Sequence, residues 1–378
     1  MTVPRVTLFR RKVPKQSDDR FYYASQWKLM LIKFRRHRLA MIAVFGLALL
    51  YLIALFANFV APYSPITRFE QYKSSPPMLV RIYDRATGFQ APFVYGVKLE
   101  RNKKTLRMES ITDYETRIPL SFFGRGEPYK LFGLIESDVH LVQLSTGEPL
   151  LLAGSDDMGR DLFSRVIFGS RISLTIGLVG VFMSFLMGVV IGSVSGYFGG
   201  VIDNVIQRVI DFLISIPSLP LWMVLSGSLP RTWSTEQTYL AITILLSGLG
   251  WCSLARVVRG KILALREEEF VNAARVAGAR ETRIVFRHLL PSFASYLIVS
   301  ISLSIPGMIL GETSLSFLGL GLQAPAVSWG VLLQDAQNVT AIAHQPWKLI
   351  PVFFVILVVL LFNFLGDGLR DAADPYST

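Results

Sequence analysis

The sequence predicts an all-α polytopic membrane protein of six transmembrane helices, with a β-containing extracytoplasmic insertion between helices 1 and 2. Three observations support this expectation. The 378 residues are 52% hydrophobic and 17% charged, with mean hydropathy +0.46, a balance found in integral membrane proteins rather than soluble globules. The apolar residues gather into runs long enough to cross a hydrocarbon layer about 30 Å thick. One stretch, 62–171, breaks the pattern with mixed charge, Pro, Gly, Tyr and Phe, and it contains no window apolar enough to span.

Residues 1–38 are polar and basic and end in Lys33, Arg35, Arg36 and Arg38. Positive charge beside an apolar run favours the cytoplasmic side, so this segment is expected inside the cell and 39–61 is expected to be a retained first span. The net charge of +11 then serves membrane orientation, and no nucleic-acid partner is expected. In 62–171, segments 105–111, 117–123 and 140–144 carry β-branched and aromatic residues between Gly and Pro, which reads as short strands and turns. The remainder, 172–366, holds five more runs. In the second span Gly188, Gly192 and Gly196 recur every four residues, a spacing that lets helix backbones approach closely. Pro217 and Pro220 interrupt the third span, which suits a segment beside a cavity. Asp211 and Arg208 lie near its cytoplasmic start, where pairing or snorkelling is the plain expectation. The fourth span ends on Arg256, Arg259 and Lys261, which places the following loop, 257–291, on the same side as the N-terminus. The fifth span contains Pro306 and Gly307, and the sixth closes into a cytoplasmic tail, 367–378.

Within that loop, 266–291 is too charged for a bilayer and too patterned for slack linker. Phe270, Ala273, Ala274 and Ala277 recur at i, i+3, i+4 and i+7, predicting one shallow apolar stripe on a short helix, with Asn272 and Arg275 on the other side. Gly278 stands where a helix ends in a left-handed turn, and a helical pattern resumes from Glu281 to Leu289 before Pro291.

The strings NAARVAG (272–278) and HLLP (288–291) resemble the EAA loop of bacterial ABC importer permeases. Asn272 stands where that pattern has Glu, and His288 where it has Ile. GSDDMGRDLFSR (154–165) resembles the G-T-D-x-x-G-R-D-x-x-S-R signature of dipeptide/oligopeptide permease C subunits, ETSLSFLGLGLQAPAVSWG (312–330) resembles a second stretch of that family, and 363–375 its N-L-L-G-D-x-L-R-D-x-x-D-P ending. The section 121–130 is similar to an insertion in some members. The resemblance implies a type I ABC importer fold in a bacterial inner membrane and an EAA loop that docks on a cytoplasmic ATPase. It makes Phe270, Asn272, Ala273, Ala274, Ala277, Gly278 and Glu281 the ATPase-coupling residues. It also implies a homologous second permease, two ATP-binding subunits or domains and an extracytoplasmic solute-binding protein as partners.

Other classes find little support. There is no phosphate-binding G-x-x-x-x-G-K-[ST] loop, so ATP hydrolysis would fall to partner subunits, and no H-E-x-x-H or G-x-S-x-G pattern points to an enzyme. No cofactor is expected. Asp156, Asp157 and Asp161 could hold a divalent ion, but with Arg160 and Arg165 interleaved, self-pairing and helix capping account for them and no metal is assigned. The single cysteine, Cys252, excludes an intrachain disulfide. The rival is a stand-alone secondary transporter or channel. That class would show paired ionisable groups near mid-membrane or inverted repeats, whereas the charges here cluster at span ends.

Overall fold

The computed structural model describes residues 26–84, 88–101 and 108–374. The basic arm before 26, part of the strand expected at 105–111 and the last four residues lie outside them. The main helices are α1 (Gln26–Arg36), α2 (Arg38–Leu55), α3 (Leu162–Phe198), α4 (Gly200–Ser215), α5 (Ser218–Gly227), α6 (Thr235–Leu265), α7 (Glu269–Val276), α8 (Ala294–Phe317), α9 (Trp329–Gln334) and α10 (Ile350–Ala373). Among the described residues, five helical segments are long and apolar enough to cross a membrane. A sixth is counted if α4 and α5, bent by 84° across the break at Pro217, form one span. Proline has no N–H to donate and disfavours helical geometry in the residue before it, which accounts for the break.

Small residues set the packing. A Cβ added to Gly192 would lie 2.5 Å from the Ala255 carbonyl oxygen, and one on Gly196 would lie 2.7 Å from that of Arg259. The expected four-residue glycine spacing is thus the contact line of α3 on α6, at a distance no larger residue permits. The main core includes Leu174, Ile176, Leu246, Ile309 and Trp329, joining α3, α6, α8 and α9.

Contacts sort the chain to two ends of the bundle. At one end α1, the start of α2 and the close of α10 meet: Lys33 Nζ donates to the Asp374 carbonyl at 3.1 Å, and His37 faces Asp371 at 3.5 Å. The end of α6 reaches the end of α3 there, where Arg266 donates to the Gly196 and Tyr197 carbonyls, each at 3.4 Å. At the other end Arg171 of α3 donates to the Ala54 and Leu55 carbonyls that terminate α2. The insertion and the loop between α8 and α10 share that second end.

The insertion contains a four-stranded antiparallel sheet in the order β1 (Arg81–Asp84), β2 (Gly88–Arg101), β3 (Met108–Phe122), β6 (Val142–Leu144), and a separate hairpin of β4 (Arg125–Leu131) and β5 (Ile135–Val139). Tyr63, Met78, Val94, Ile118, Leu150 and Leu151 form its core. Two differences from expectation stand out. Strands β2 and β3 are long, 14 and 15 residues, because they pair with each other from Phe93 and Pro119 to Arg101 and Met108 and extend beyond that to pair with β1 and β6. Helix α3 already begins at Leu162, inside the stretch assigned to the insertion. Arg165 and Arg171 made that stretch look too charged to belong to a span, yet at 37 residues, about 55 Å, the helix outreaches the bilayer and can carry them beyond it.

Candidate functional site

The 266–291 segment is built as a mounted helix. Its acidic entry, Glu267 to Glu269, places negative charge at the positive end of α7, with Arg275 in the last turn. Asn272 joins the ends, its Nδ2 donating to the Glu267 carbonyl at 3.1 Å and its Oδ1 accepting from Arg275 at 3.1 Å. Arg275 also lies 5.9 Å from the Tyr197 ring. After Val276 the chain closes a Schellman turn, in which Ala279 N–H donates to Ala274 O at 3.0 Å and Gly278 N–H to Arg275 O at 2.9 Å. Gly278 takes φ +78°, the left-handed value that the turn needs and glycine adopts without steric cost. A helical rod follows, but it is not the plain α-helix expected over 281–289. It is α-helical only at Glu281–Arg283 and Leu290–Ser292, with π geometry over Ile284–Leu289 between them. Widening there turns Ile284, Val285 and Leu289 into one buried group.

That group is the mount. Val271, fully buried, and Ala274, half-buried, pack on Ile262, Ile284 and Leu289. The expected stripe is therefore divided. Phe270, at 42% exposure, and the exposed Ala273 and Ala277 face away from the chain, whereas Ala274 turns towards the chain's own core. Asn272, Gly278 and Glu281 are also exposed. The structure adds one residue that the periodicity missed, Val276, 90% exposed between Ala273 and Ala277. Its only sequence signal was an apolar residue off the predicted stripe. Among the described residues, nothing covers the outward patch of Phe270, Ala273, Val276 and Ala277.

At the opposite end the two other motifs interlock. Asp156 Oδ2 receives Arg160 Nε at 2.6 Å and Arg165 Nη1 at 2.5 Å, and its Oδ1 accepts the Met158 and Arg160 amides. Asp161 caps α3 by accepting from the Phe163 and Ser164 amides; burial nevertheless pushes its carboxyl up to about 7. Asp157 meets Lys348 at 2.7 Å. Burial opposes ionisation of Asp157, but Lys348, Gln345 and Ser74 outweigh it and hold the carboxyl below its ordinary value. Glu312 sits fully buried in α8 and accepts from Ser316 (2.8 Å), Ser328 (2.7 Å) and Ser173 (3.4 Å). The aspartates are thus committed to arginine, lysine and backbone partners, and among the described residues no group of three His, Cys, Asp or Glu is arranged to hold a metal ion. Asp211 pairs with Arg256 rather than Arg208, and Asp203 with Arg259 through two contacts of 2.5 Å.

Comparison with known proteins agrees with the motifs. Residues 188–376 match the model of binding-protein-dependent transport system inner membrane components, and 25–77 match the N-terminal transmembrane domain of oligopeptide transport permease C. The oligopeptide transport system permease protein OppC of Bacillus subtilis is 40% identical over 223 residues, 59% of this chain and 70% of the relative. OppC of Haemophilus influenzae is 43% identical over 223 residues, 59% of this chain and 69% of the relative. The dipeptide transport system permease protein DppC of Bacillus subtilis is 42% identical over 226 residues, 59% and 68% respectively. A solved structure of the MetNI methionine ABC transporter aligns with 56% of this chain and 97% of its own at 18% identity and TM-score 0.42, too slight a likeness to argue from. The chain belongs to the family of binding-protein-dependent transport inner membrane components. Within it, this is a C-type permease of the oligopeptide and dipeptide group, a transport subunit and not an enzyme.

Proposed function

We propose that this chain is the membrane-spanning permease subunit of an ATP-driven type I ABC importer. It forms half of the translocation path for a peptide-like solute delivered by an extracytoplasmic binding protein. It pairs with a homologous second permease and is driven by two ATP-binding subunits or domains. The observation that carries the coupling role is the uncovered patch of Phe270, Ala273, Val276 and Ala277 on a helix whose other face is fixed to the bundle. An apolar surface held in this way suits insertion into a groove of a partner, and the exposed Asn272 and Glu281 can serve at its rim. Gly278 fixes the angle between α7 and the rod that leads into α8, so displacement of α7 is passed on to a membrane helix. Residues 1–38, the loop 257–291 and the tail 367–378 are assigned to the cytoplasm, and the insertion to the other side, in a bacterial inner membrane.

Val276→Arg tests this without disturbing the chain's own packing, since the side chain is almost fully exposed. The expected result is normal insertion and pairing with the sister permease, but loss of ATPase co-purification and of substrate-stimulated hydrolysis in proteoliposomes. Full stimulated hydrolysis would remove 266–291 from the coupling role. Reporter fusions at Gly88 and Gln337 should read outside, and at Arg275 and Tyr376 inside; a cytoplasmic signal at Gly88 overturns the topology.

A further inference from the structure

We propose that the β4–β5 hairpin is a membrane-dipping element whose tip lies among phospholipid acyl chains, in the leaflet on the insertion's side of the bilayer. The tip is apolar and uncovered: Phe132 is 54% exposed, Leu134 86% and Ile135 60%. The strands are joined by Phe132, Gly133 and Leu134, and the Leu134 N–H closes a turn on the Leu131 carbonyl at 3.0 Å. The two central residues of that turn, Phe132 (φ +53°) and Gly133 (φ +74°), both have positive φ, for which turns favour Asn-Gly or Asp-Gly. An aromatic is thus held in the left-handed region, disfavoured for a bulky side chain, at a position where water would select a polar residue.

Depth follows from the neighbouring helix. The Phe132 ring meets that of Phe56 edge-on at 5.7 Å, and the Lys130 carbonyl accepts from Asn58. With the basic cluster ending at Arg38 marking one boundary, 1.5 Å per residue sets Phe56 about 26 Å above Leu39, short of the roughly 30 Å of hydrocarbon. The tip therefore hangs at or below the boundary on its side. It also continues an apolar surface that the bilayer must cover, since Leu52 and Leu55 of α2 are 52% and 50% exposed. Between hairpin, α2 and α3 lies an open cleft of about 540 Å³, lined by Tyr51, Leu55, Phe132 and Leu174, with Arg171 and Lys130 among its polar residues. Arg171 spends two N–H groups on the terminal carbonyls of α2 and has no carboxylate partner among the described residues. A cation left in that condition at the edge of hydrocarbon fits a lipid phosphate, and the apolar walls fit its acyl chain. Charge and apolarity together favour lipid over a protein surface as the occupant.

The test is nitroxide depth measurement on the assembled membrane complex, reconstituted in liposomes of phosphatidylethanolamine and phosphatidylglycerol. Labels are placed at Leu134→Cys, at Leu52→Cys on the outer face of α2, and at Thr146→Cys in an exposed polar turn; buried Cys252 gives the background. Oxygen partitions into acyl chains and a nickel chelate into water. The oxygen-to-nickel accessibility ratio at 134 should lie between those at 52 and 146 and exceed that at 146 several-fold. A ratio equal to that at 146 puts the tip in water and overturns the proposal. Shielding from both relaxants means that protein covers the tip, and overturns it equally. Ile135→Cys provides the same reading if the Leu134 variant does not assemble.

Discussion

Substitutions at Gly278 should weaken ATPase docking in the order Asn, Ala, Pro, with no change in the amount of permease in the membrane. The position is suited to the test because a Cβ there meets nothing within 4 Å, so what is measured is backbone conformation and not a clash. Alanine at φ +78° costs about 1 kcal/mol in the left-handed region, and asparagine less. A penalty of that size lowers occupancy of the turn, and hence apparent affinity, about five-fold. Proline fixes φ near −65°, removes the N–H that donates to Arg275 O at 2.9 Å, and disfavours the near-helical Ala277 before it. A total of about 3 kcal/mol or more corresponds to at least a hundred-fold loss. The assay is titration of the purified ATPase into permease held in nanodiscs, with affinity and stimulated hydrolysis read for each variant. Proline binding as tightly as glycine would refute the idea that the turn fixes α7 for docking. Alanine as damaging as proline would show that the surface at 278 is itself the contact.

Gly192→Val places carbon atoms where the Ala255 carbonyl stands 2.5 Å from the first of them, so α3 and α6 must separate at a cost of about 1–3 kcal/mol or more; loss of a monodisperse peak after solubilisation reports it. Asp203→Asn leaves Arg259 without its bidentate partner and removes the charged acceptor facing Ser195, and a loss of about 1.5–3 kcal/mol should appear as a lower unfolding midpoint in nanodiscs. Asp157, whose folded-state pKa lies below its ordinary 3.8, contributes stability above the ordinary carboxylate range, and that contribution fades as pH falls through the folded value. Proteolysis between α9 and α10 should therefore accelerate on acidification below about pH 4, and Lys348→Met should remove that added acid sensitivity.

The features readable in the sequence were those fixed by local period or by a single residue's backbone. Gly192 and Gly196 identified a close helix contact because their spacing matches one helix face, although the partner, α6, could not be named from it. Gly278 identified the turn because few other residues accept its φ. Asp161 could be read as a cap from its place before an apolar run. The missed features depend on what lies across the fold. Whether Ala274 or Val276 points outward is decided by which side of α7 meets Ile284 and Leu289, and the π geometry that gathers those residues has no periodic signature. Asp211 finds Arg256, 45 positions away, instead of its near neighbour Arg208. Strand β2 was not singled out, and β3 was read as two short segments, 105–111 and 117–123, because alternation is weak in strands stabilised mainly by pairing with each other.

Helix α3 also has a mechanical consequence. It is a single rod anchored by bare backbone contact at Gly192 and Gly196, near the end where α6 leads into α7, and its far end carries the Asp161 cap and the Asp156–Arg165 pair beneath the insertion. Its other half is held too, since Ser247 donates to the Gly180 carbonyl, Trp329 to the Val166 carbonyl and Arg171 to the end of α2. Over its length of about 55 Å α3 can therefore shift only together with the helices packed on it, and the insertion moves with that bundle.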